Sequence, residues 1–372
     1  MSAASGVDPM TGEVVDPLPV TLPDIRAAAL AKVPAAVRDF LEGGAGDEST
    51  LHRNTEGFAR WDLLPRVMSG RTPPSTATEF MGLPLDLPLL TAPFGADALF
   101  HPEGQTAVAR ANASAGVRSI VPEAGSFSLE EVAAAAPAAI GLAQLHPMGP
   151  PENFALMLAR IERAGYRGVC VTVDCPTGGW RERMMRTPLD FEDRIIAANY
   201  AEPGALDHQE VFGQLFDHTE TSVWDWELLA GLMDRSPLPW MAKGILTVDD
   251  AERAIAAGAS AVLVSNHGGR QLDGAPTALE QLPDIAEAVG SRAQIALDSG
   301  IRRGADIVKA LALGADVVVL GRLAVYGLTA AGEAGVRQVH RLLHDEIRTI
   351  LTLLGRGGVR ELRRDAVRRA RW

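Results

Sequence analysis

The residues best able to move a proton and hold an anion lie together in SNHGGRQLDG, residues 265–274. His267 stands between Asn266 and Arg270. An imidazole titrates near neutrality, so it suits the work of a general base. A guanidinium keeps its charge and grips a carboxylate with paired N–H donors, which an ammonium does not. One histidine alone reads more simply as a satisfied structural group, and one arginine as a surface ion-pair partner. Company changes that reading. Gln144, His146, Thr172, Asp174, Lys243, Ser265 and Asp298 also interrupt apolar runs near their C-terminal ends. A charge at the end of a buried run is costly unless it has a partner or a ligand.

Bringing these positions together requires a repeating frame, and the chain has one. Eight short apolar runs start near residue 88. They end at Pro93, Ala124, His146, Asp174, Gly244, Gly269, Gly300 and Arg322. Between most of them lies a helical stretch closed by a glycine, as in NFALMLARIERAG and VDDAERAIAAG. Strict alternation of strand and helix implies a parallel sheet, and nearly continuous apolar strands imply burial on both faces. Eight units in about 235 residues predict an α/β fold, a (β/α)8 TIM barrel. An open doubly wound sheet would place a glycine-rich fingerprint after the first strand, and TAPFGADALFHPEG is not one. Barrel active sites lie at the C-terminal ends of the strands, where the polar residues fall.

The rest of the chain is appended to that frame. Residues 1–20 are polar and proline-marked and read as disordered or loosely packed; residues 21–372 read as a single barrel domain. An Ala-rich segment from Leu22 to the Gly43-Gly44 pair predicts an N-terminal extension of one or two helices. The link after the fourth run, about residues 183–236, is too long for an ordinary connection and is expected to be a lid.

Composition limits the partners. The net charge of -12 argues against nucleic acid. Cys170 and Cys175 form no disulfide framework and fit no common zinc pattern, so no metal is expected. Cys170 sits in an apolar run as a small hydrophobe. There is no signal core and no transmembrane-length stretch, so the expectation is a cytoplasmic enzyme that does not engage membranes. With no extra N-terminal segment long enough for a haem domain, fused cytochrome transfer is not expected.

At this point the motifs become specific. VSNHGGRQLDG, AKGILTVDDA, DSGIRRGADIVKALALGA, HPEGQTAVARANASAG, TVDCPTGGWRE and DFLEGGAGDESTLHRN resemble those of the FMN-dependent 2-hydroxy-acid oxidases and dehydrogenases. That family includes glycolate, lactate and hydroxymandelate oxidases. The likeness spans nearly all of the chain after residue 20, and the DFLEGG opening is most similar to the hydroxymandelate oxidase branch.

The resemblance implies oxidation of an (S)-2-hydroxy acid to the 2-oxo acid. Electrons would pass through FMN to O2 or another acceptor. His267 takes the place of the family's catalytic base and Asp174 that of its carboxylate partner. Arg270 matches the principal substrate arginine and Arg181 a second one. Lys243 matches the lysine at the flavin's pyrimidine edge, where reduction leaves an anion. Gln144, Thr172 and Ser265 match positions that hydrogen-bond the isoalloxazine or ribityl chain, and Pro93, Gly95 and Asp298 complete the flavin surroundings. Gly300, Arg302, Gly321 and Arg322 lie where a barrel binds phosphate, in the loops after strands seven and eight. The family also implies a homotetramer or homo-octamer.

Departures from the family pattern concern the substrate. Phe40 stands where a tyrosine on the N-terminal helix usually binds the substrate carboxylate. His146 stands where a second tyrosine follows the Gln-Leu of strand three. Losing one charged-acceptor hydrogen bond costs about 1.5–3 kcal/mol if nothing compensates. Phe40 implies a more apolar pocket and an aromatic or bulky, carboxylate-bearing substrate. His146 could donate to the same oxygen, act as a second acid or base, or fill space. Phe94 and Pro122 replace Thr and Ser, and Ser299 replaces a glycine. An alternative keeps the flavin but oxidises a C–N or C–H bond of a specialised metabolite. A phosphate-binding barrel without redox chemistry would have no use for Lys243 beside His267 and Arg270. A silent binding protein would have no use for His267 and Asp174.

Overall fold

Each of the eight runs forms a strand in the computed structural model, which describes residues 6–7, 14–15, 18–70, 73–189, 192, 195–200 and 224–371. The strands are β1 (Leu89–Thr91), β2 (Arg118–Val121), β3 (Ile140–Leu145), β4 (Gly168–Thr172), β5 (Trp240–Ile245), β6 (Ala261–Val264), β7 (Gln294–Leu297) and β8 (Val317–Leu320). Every neighbouring pair is parallel, and β8 pairs with β1 to close the barrel. The expected (β/α)8 architecture is therefore observed.

Three helices precede the barrel: α1 (Leu22–Lys32), α2 (Ala35–Glu42) and α3 (Ser49–Ala59). The segment before Gly43 yields two helices, and α3 is one more than the sequence reading gives. The later helices are α4 (Gly104–Ser114), α5 (Leu129–Ala135), α6 (Pro151–Arg163), α7 (Glu182–Arg186), α8 (Trp226–Met233), α9 (Val248–Ala256), α10 (Ala278–Val289), α11 (Gly304–Ala312) and α12 (Arg322–Leu353). Ser128 opens α5 with a reciprocal capping box to Glu131, and Thr247 and Thr277 cap α9 and α10. Gly165 and Gly258, which close α6 and α9, both adopt positive φ, as the reading of those glycines requires.

Alternation along the strands decides what reaches the site. Residues two apart share a face of a strand. The barrel interior is filled by Leu142, Cys170, Met241, Leu263 and Ala296, all fully buried, among others. Two residues further along the same inward face stand Gln144, Thr172, Lys243, Ser265 and Asp298. Another step gives His146, Asp174 and His267. The polar layer is thus the top of the barrel's own core. The far end is closed by a ribbon, Thr78–Phe80 against Leu83–Leu85, whose Phe80 and Leu85 join the interior cluster.

Two expectations fall largely outside the described residues. Of the N-terminal twenty, Gly6–Val7 pairs antiparallel with Val14–Val15. Of the long link after β4, the described parts are α7, a few residues around Ile195–Tyr200, and the stretch from Trp224 onward. Residues 195–200 pack over the loop after β2, with Ser126 Oγ donating to Ile195 O at 2.6 Å and Asn199 Oδ1 accepting from Leu129 N at 2.9 Å.

Candidate active site

A cleft opens at the C-terminal ends of the strands. Among its lining residues are Phe40, Pro93, Gly95, Gln144, His146, Thr172, Arg181, Lys243, His267, Arg270, Asp298, Gly300, Arg302, Gly321 and Arg322. Of the residues expected from the sequence, only Asp174 and Ser265 do not line it. Asp174 stands behind His267, and Ser265 lies fully buried beneath it, accepting from His267 N at 3.0 Å. Asn266 turns away to exchange two hydrogen bonds with Asn54 of α3, at 2.8 and 2.7 Å. This anchors the loop after β6 to the N-terminal extension.

His267 is the centre of a charged cluster. Its Nδ1 lies 3.1 and 3.2 Å from the two Asp174 oxygens and 3.1 Å from Lys243 Nζ. Lys243 Nζ is also 3.7 Å from Asp174 Oδ1. Burial and the Lys243 ammonium push His267 down to about 4, against the pull of Asp174. Burial alone would raise Asp174, but Lys243 and His267 more than offset it and hold the carboxyl well below its usual range. Burial would lower Lys243, but Asp174 and Asp298 keep it raised. The cluster therefore holds a charged ammonium, a carboxylate and a neutral imidazole near pH 7. Cys175 Sγ approaches the same imidazole at 3.5 Å, a neighbour that the sequence did not reveal. Asp174, Cys175 and His267 offer atoms within 4.8 Å of one another. The ammonium in their midst disfavours a metal cation.

The arginines are half-buried and, among the described residues, lack carboxylate partners. Arg270 donates to Phe40 O at 2.6 Å and Gly43 O at 3.0 Å. Arg181 donates to Arg270 O and Gln271 Oε1, and Arg322 to the carbonyls of Leu41, Gly43 and Gly268. Burial lowers all three, most strongly Arg270, and takes Arg322 to about 10. Among the described residues, none of these three nor Arg302 forms an ion pair. Carbonyls orient the guanidinium groups without cancelling their charge, so the cleft is built for anions.

One wall is aromatic. Phe100 stacks on Phe40 with centroids 6.1 Å apart and meets Phe94 edge-on at 6.4 Å, while Arg270 lies 5.2 Å over the Phe40 ring. The sequence pointed to Phe40 and Phe94, whereas Phe100 became visible only through the fold. Gly95 owes its small size first to packing, since a Cβ there would meet Ala124 O at 2.3 Å. Ser299, in place of the family's glycine, adopts φ +70. Its Oγ accepts from Gly268 N at 3.0 Å and donates to Asp298 Oδ1 at 2.7 Å, which offsets the strain of that conformation.

Several features fit a flavin mononucleotide. Thr172 Oγ1 is buried at the cleft without a hydrogen-bond partner among the described residues. Gly321 leaves open space where a side chain would stand, at the N-terminus of α12. Helix N-termini of this kind bind phosphate, and Arg302 and Arg322 supply charge there. Lys243 supplies a buried cation.

A (β/α)8 barrel with an imidazole, an ammonium and arginines that meet no carboxylate among the described residues makes a cleft suited to anions and proton transfer. Comparison with known proteins agrees. Residues 29–369 match the family model described as FMN-dependent dehydrogenase. The chain is 39% identical over 345 residues to an L-lactate oxidase of Nostoc sp., covering 91% of this chain and 94% of the relative. It is 39% identical over 352 residues to a 4-hydroxymandelate oxidase of Amycolatopsis orientalis, covering 93% and 97%. A crystal structure of mandelate oxidase with benzoyl-formic acid superposes with a TM-score of 0.85 at 38% identity, covering 95% of this chain and 98% of that one. The chain belongs to the FMN-dependent 2-hydroxy-acid oxidase and dehydrogenase family and is an FMN-dependent oxidoreductase.

Proposed function

We propose that the protein oxidises an (S)-2-hydroxy acid with an aromatic or bulky substituent to the 2-oxo acid, using FMN and then O2 or another acceptor. The observation that carries this reading is the convergence of the His267–Asp174 pair, the Arg181 and Arg270 guanidiniums and the Phe40–Phe100–Phe94 wall on one cleft. FMN, when bound, accepts the two electrons of the reaction.

The chain's own residues account for the rest. Arg270 and Arg181 bind the substrate carboxylate with charge that no carboxylate among the described residues cancels. The phenylalanines exclude water from the substituent. His267 accepts a proton at Nε2, and Asp174 stabilises the resulting imidazolium through Nδ1–H. Lys243 supplies positive charge at the flavin's pyrimidine edge. Gln144, Thr172, Ser265 and Asp298 hold the ring system and ribityl chain; Arg302, Arg322, Gly300 and Gly321 hold the phosphate. A second reading, oxidation of a C–N or C–H bond in a specialised metabolite, draws on His146, an imidazole where the family places a phenol.

The proposal extends to a cytoplasmic homotetramer or homo-octamer. Both cysteines are free, and among the described residues no helix is long and apolar enough to cross a membrane.

Anaerobic mixing of the FMN-loaded protein with a panel of 2-hydroxy acids tests the function. Bleaching by (S)-mandelate and related aryl substrates is expected. His267→Asn should keep FMN and slow bleaching by about 10²- to 10⁴-fold. Bleaching by amines but by no hydroxy acid would transfer support to the second reading.

A further inference from the structure

A second histidine–carboxylate pair faces the same cleft. Glu123, just beyond β2, is buried, with its side chain only 5% exposed. Its Oε2 accepts from His146 N at 2.8 Å and lies 2.9 Å from His146 Nδ1. Its Oε1 accepts from the Tyr200 hydroxyl, carried by the link after β4. Three donors converge on this carboxylate. An ionised carboxylate only accepts hydrogen bonds, so the Nδ1 facing it carries the imidazole proton.

The remaining nitrogen is then a lone pair. Gln144 Oε1 accepts from Glu123 N at 3.2 Å, which fixes the amide with its NH2 toward His146. That Nε2 lies 3.0 and 3.2 Å from the two ring nitrogens. Near-equal spacing places the amide over the ring face, because the ring carbon blocks an in-plane approach between the nitrogens. The in-plane lone pair of His146 Nε2 is therefore left to the cleft, which His146 lines.

We infer that Glu123 is a positioning residue that fixes His146 in the Nδ1–H tautomer, so that the pocket presents an acceptor at the end of β3. The family places a phenol, able to donate, at this position. The ligand that fits here brings an O–H or N–H donor to that point. The inference rests on the proposed function for the class of ligand, but not for the tautomer.

Two probes share a phenyl ring and a carboxylate and resist oxidation. 2-Hydroxy-2-phenylpropanoate offers a hydroxyl donor, and benzoylformate offers only a keto acceptor. Their affinities for the FMN-loaded protein are read from perturbation of the flavin spectrum. Wild type should prefer the hydroxy probe. Glu123→Gln brings an amide N–H that can donate to Nδ1 and reverse the tautomer. It should cut that preference about tenfold, the effect of about 1.4 kcal/mol from one hydrogen bond. Equal weakening of both probes, or an unchanged ratio, overturns the inference.

Nitrogen NMR of ¹⁵N-histidine-labelled, FMN-loaded wild type, assigned with His146→Tyr, reads the tautomer without a ligand. A protonated Nε2 in His146 also overturns the inference. If neither probe binds and no hydroxy acid bleaches the flavin, the proposed function fails, while the NMR still decides the tautomer.

Discussion

Lys243 Nζ and His267 Nδ1 meet at 3.1 Å, on the ring nitrogen that also faces Asp174. Nδ1 can donate to the carboxylate or accept from the ammonium, but not both. Only donation leaves Nε2 as a base for the substrate. The ammonium also disfavours a second positive charge on the ring, and with burial it sets His267 near 4. Lys243→Met removes that repulsion while Asp174 still favours the imidazolium. His267 should then titrate at higher pH, and the acidic limb of flavin bleaching should move up with it. NMR titration of His267 checks this, and a value that stays put or falls contradicts the arrangement.

Much of this cluster was legible because a buried strand does not end in Lys, His or Asp without a reason. Glu123, inside the run RSIVPEA, is a charge of the same kind, but the run does not name its partner. Its partner Tyr200 is 77 residues away, across two further strands. No local feature marks Cys175 as a neighbour of His267; β4 and β6 bring the two together. The barrel itself followed from alternating strands and helices, a local pattern. The Phe80 ribbon that plugs it, and the Asn54–Asn266 pair that ties α3 to the active loop, are long-range contacts with no local period to announce them.

Arg302 gives the cleanest test of the phosphate site. Arg322 holds α2 and the β6 loop through three carbonyls, so its loss would disturb the fold as well. Among the described residues, the Arg302 guanidinium donates only to its neighbour Ile301 O, at 2.9 Å. Arg302→Met should leave the melting temperature of the flavin-free protein nearly unchanged. It should weaken FMN by roughly 10- to 150-fold, the effect of about 1.5–3 kcal/mol for a charged hydrogen bond. Riboflavin, which lacks the phosphate, should bind both proteins alike in fluorescence titrations.

Acid stability should depend on a histidine far from the chemistry. His340 of α12 is 1% exposed, and burial lowers it to about 4. Asn112 Nδ2 donates to Thr91 and Ser119, so Asn112 Oδ1 is the acceptor for His340 Nε2–H at 2.7 Å. Among the described residues, His340 Nδ1 has no partner to receive a second proton's charge. The unfolded chain binds that proton near 6.5, before the folded protein does. Stability is therefore full above 6.5 and falls as pH drops from 6.5 toward 4, by about 3 kcal/mol from this group. His340→Gln keeps a donor for Asn112 and removes the titration. Urea midpoints at pH 7 and pH 4.5 should differ less in the variant than in wild type; an equal difference contradicts the assignment.

The unpartnered hydroxyl of Thr172 makes opposite predictions for two states of the protein. Its Oγ1 is buried at the end of β4 without a partner among the described residues. A buried hydroxyl without a hydrogen bond costs about 1–3 kcal/mol. A fold tolerates that cost where a ligand later repays it. Thr172→Val keeps the branched shape that β4 packs and deletes the hydroxyl. The flavin-free variant should melt at the same temperature as wild type or higher. FMN should then stabilise it less, with a smaller shift in melting temperature and an affinity about tenfold weaker. Scanning calorimetry with and without FMN separates the alternatives. If the variant loses stability without flavin and keeps the full FMN shift, Thr172 serves the strand. If it gains stability and loses the shift, the hydroxyl is held in reserve for the cofactor.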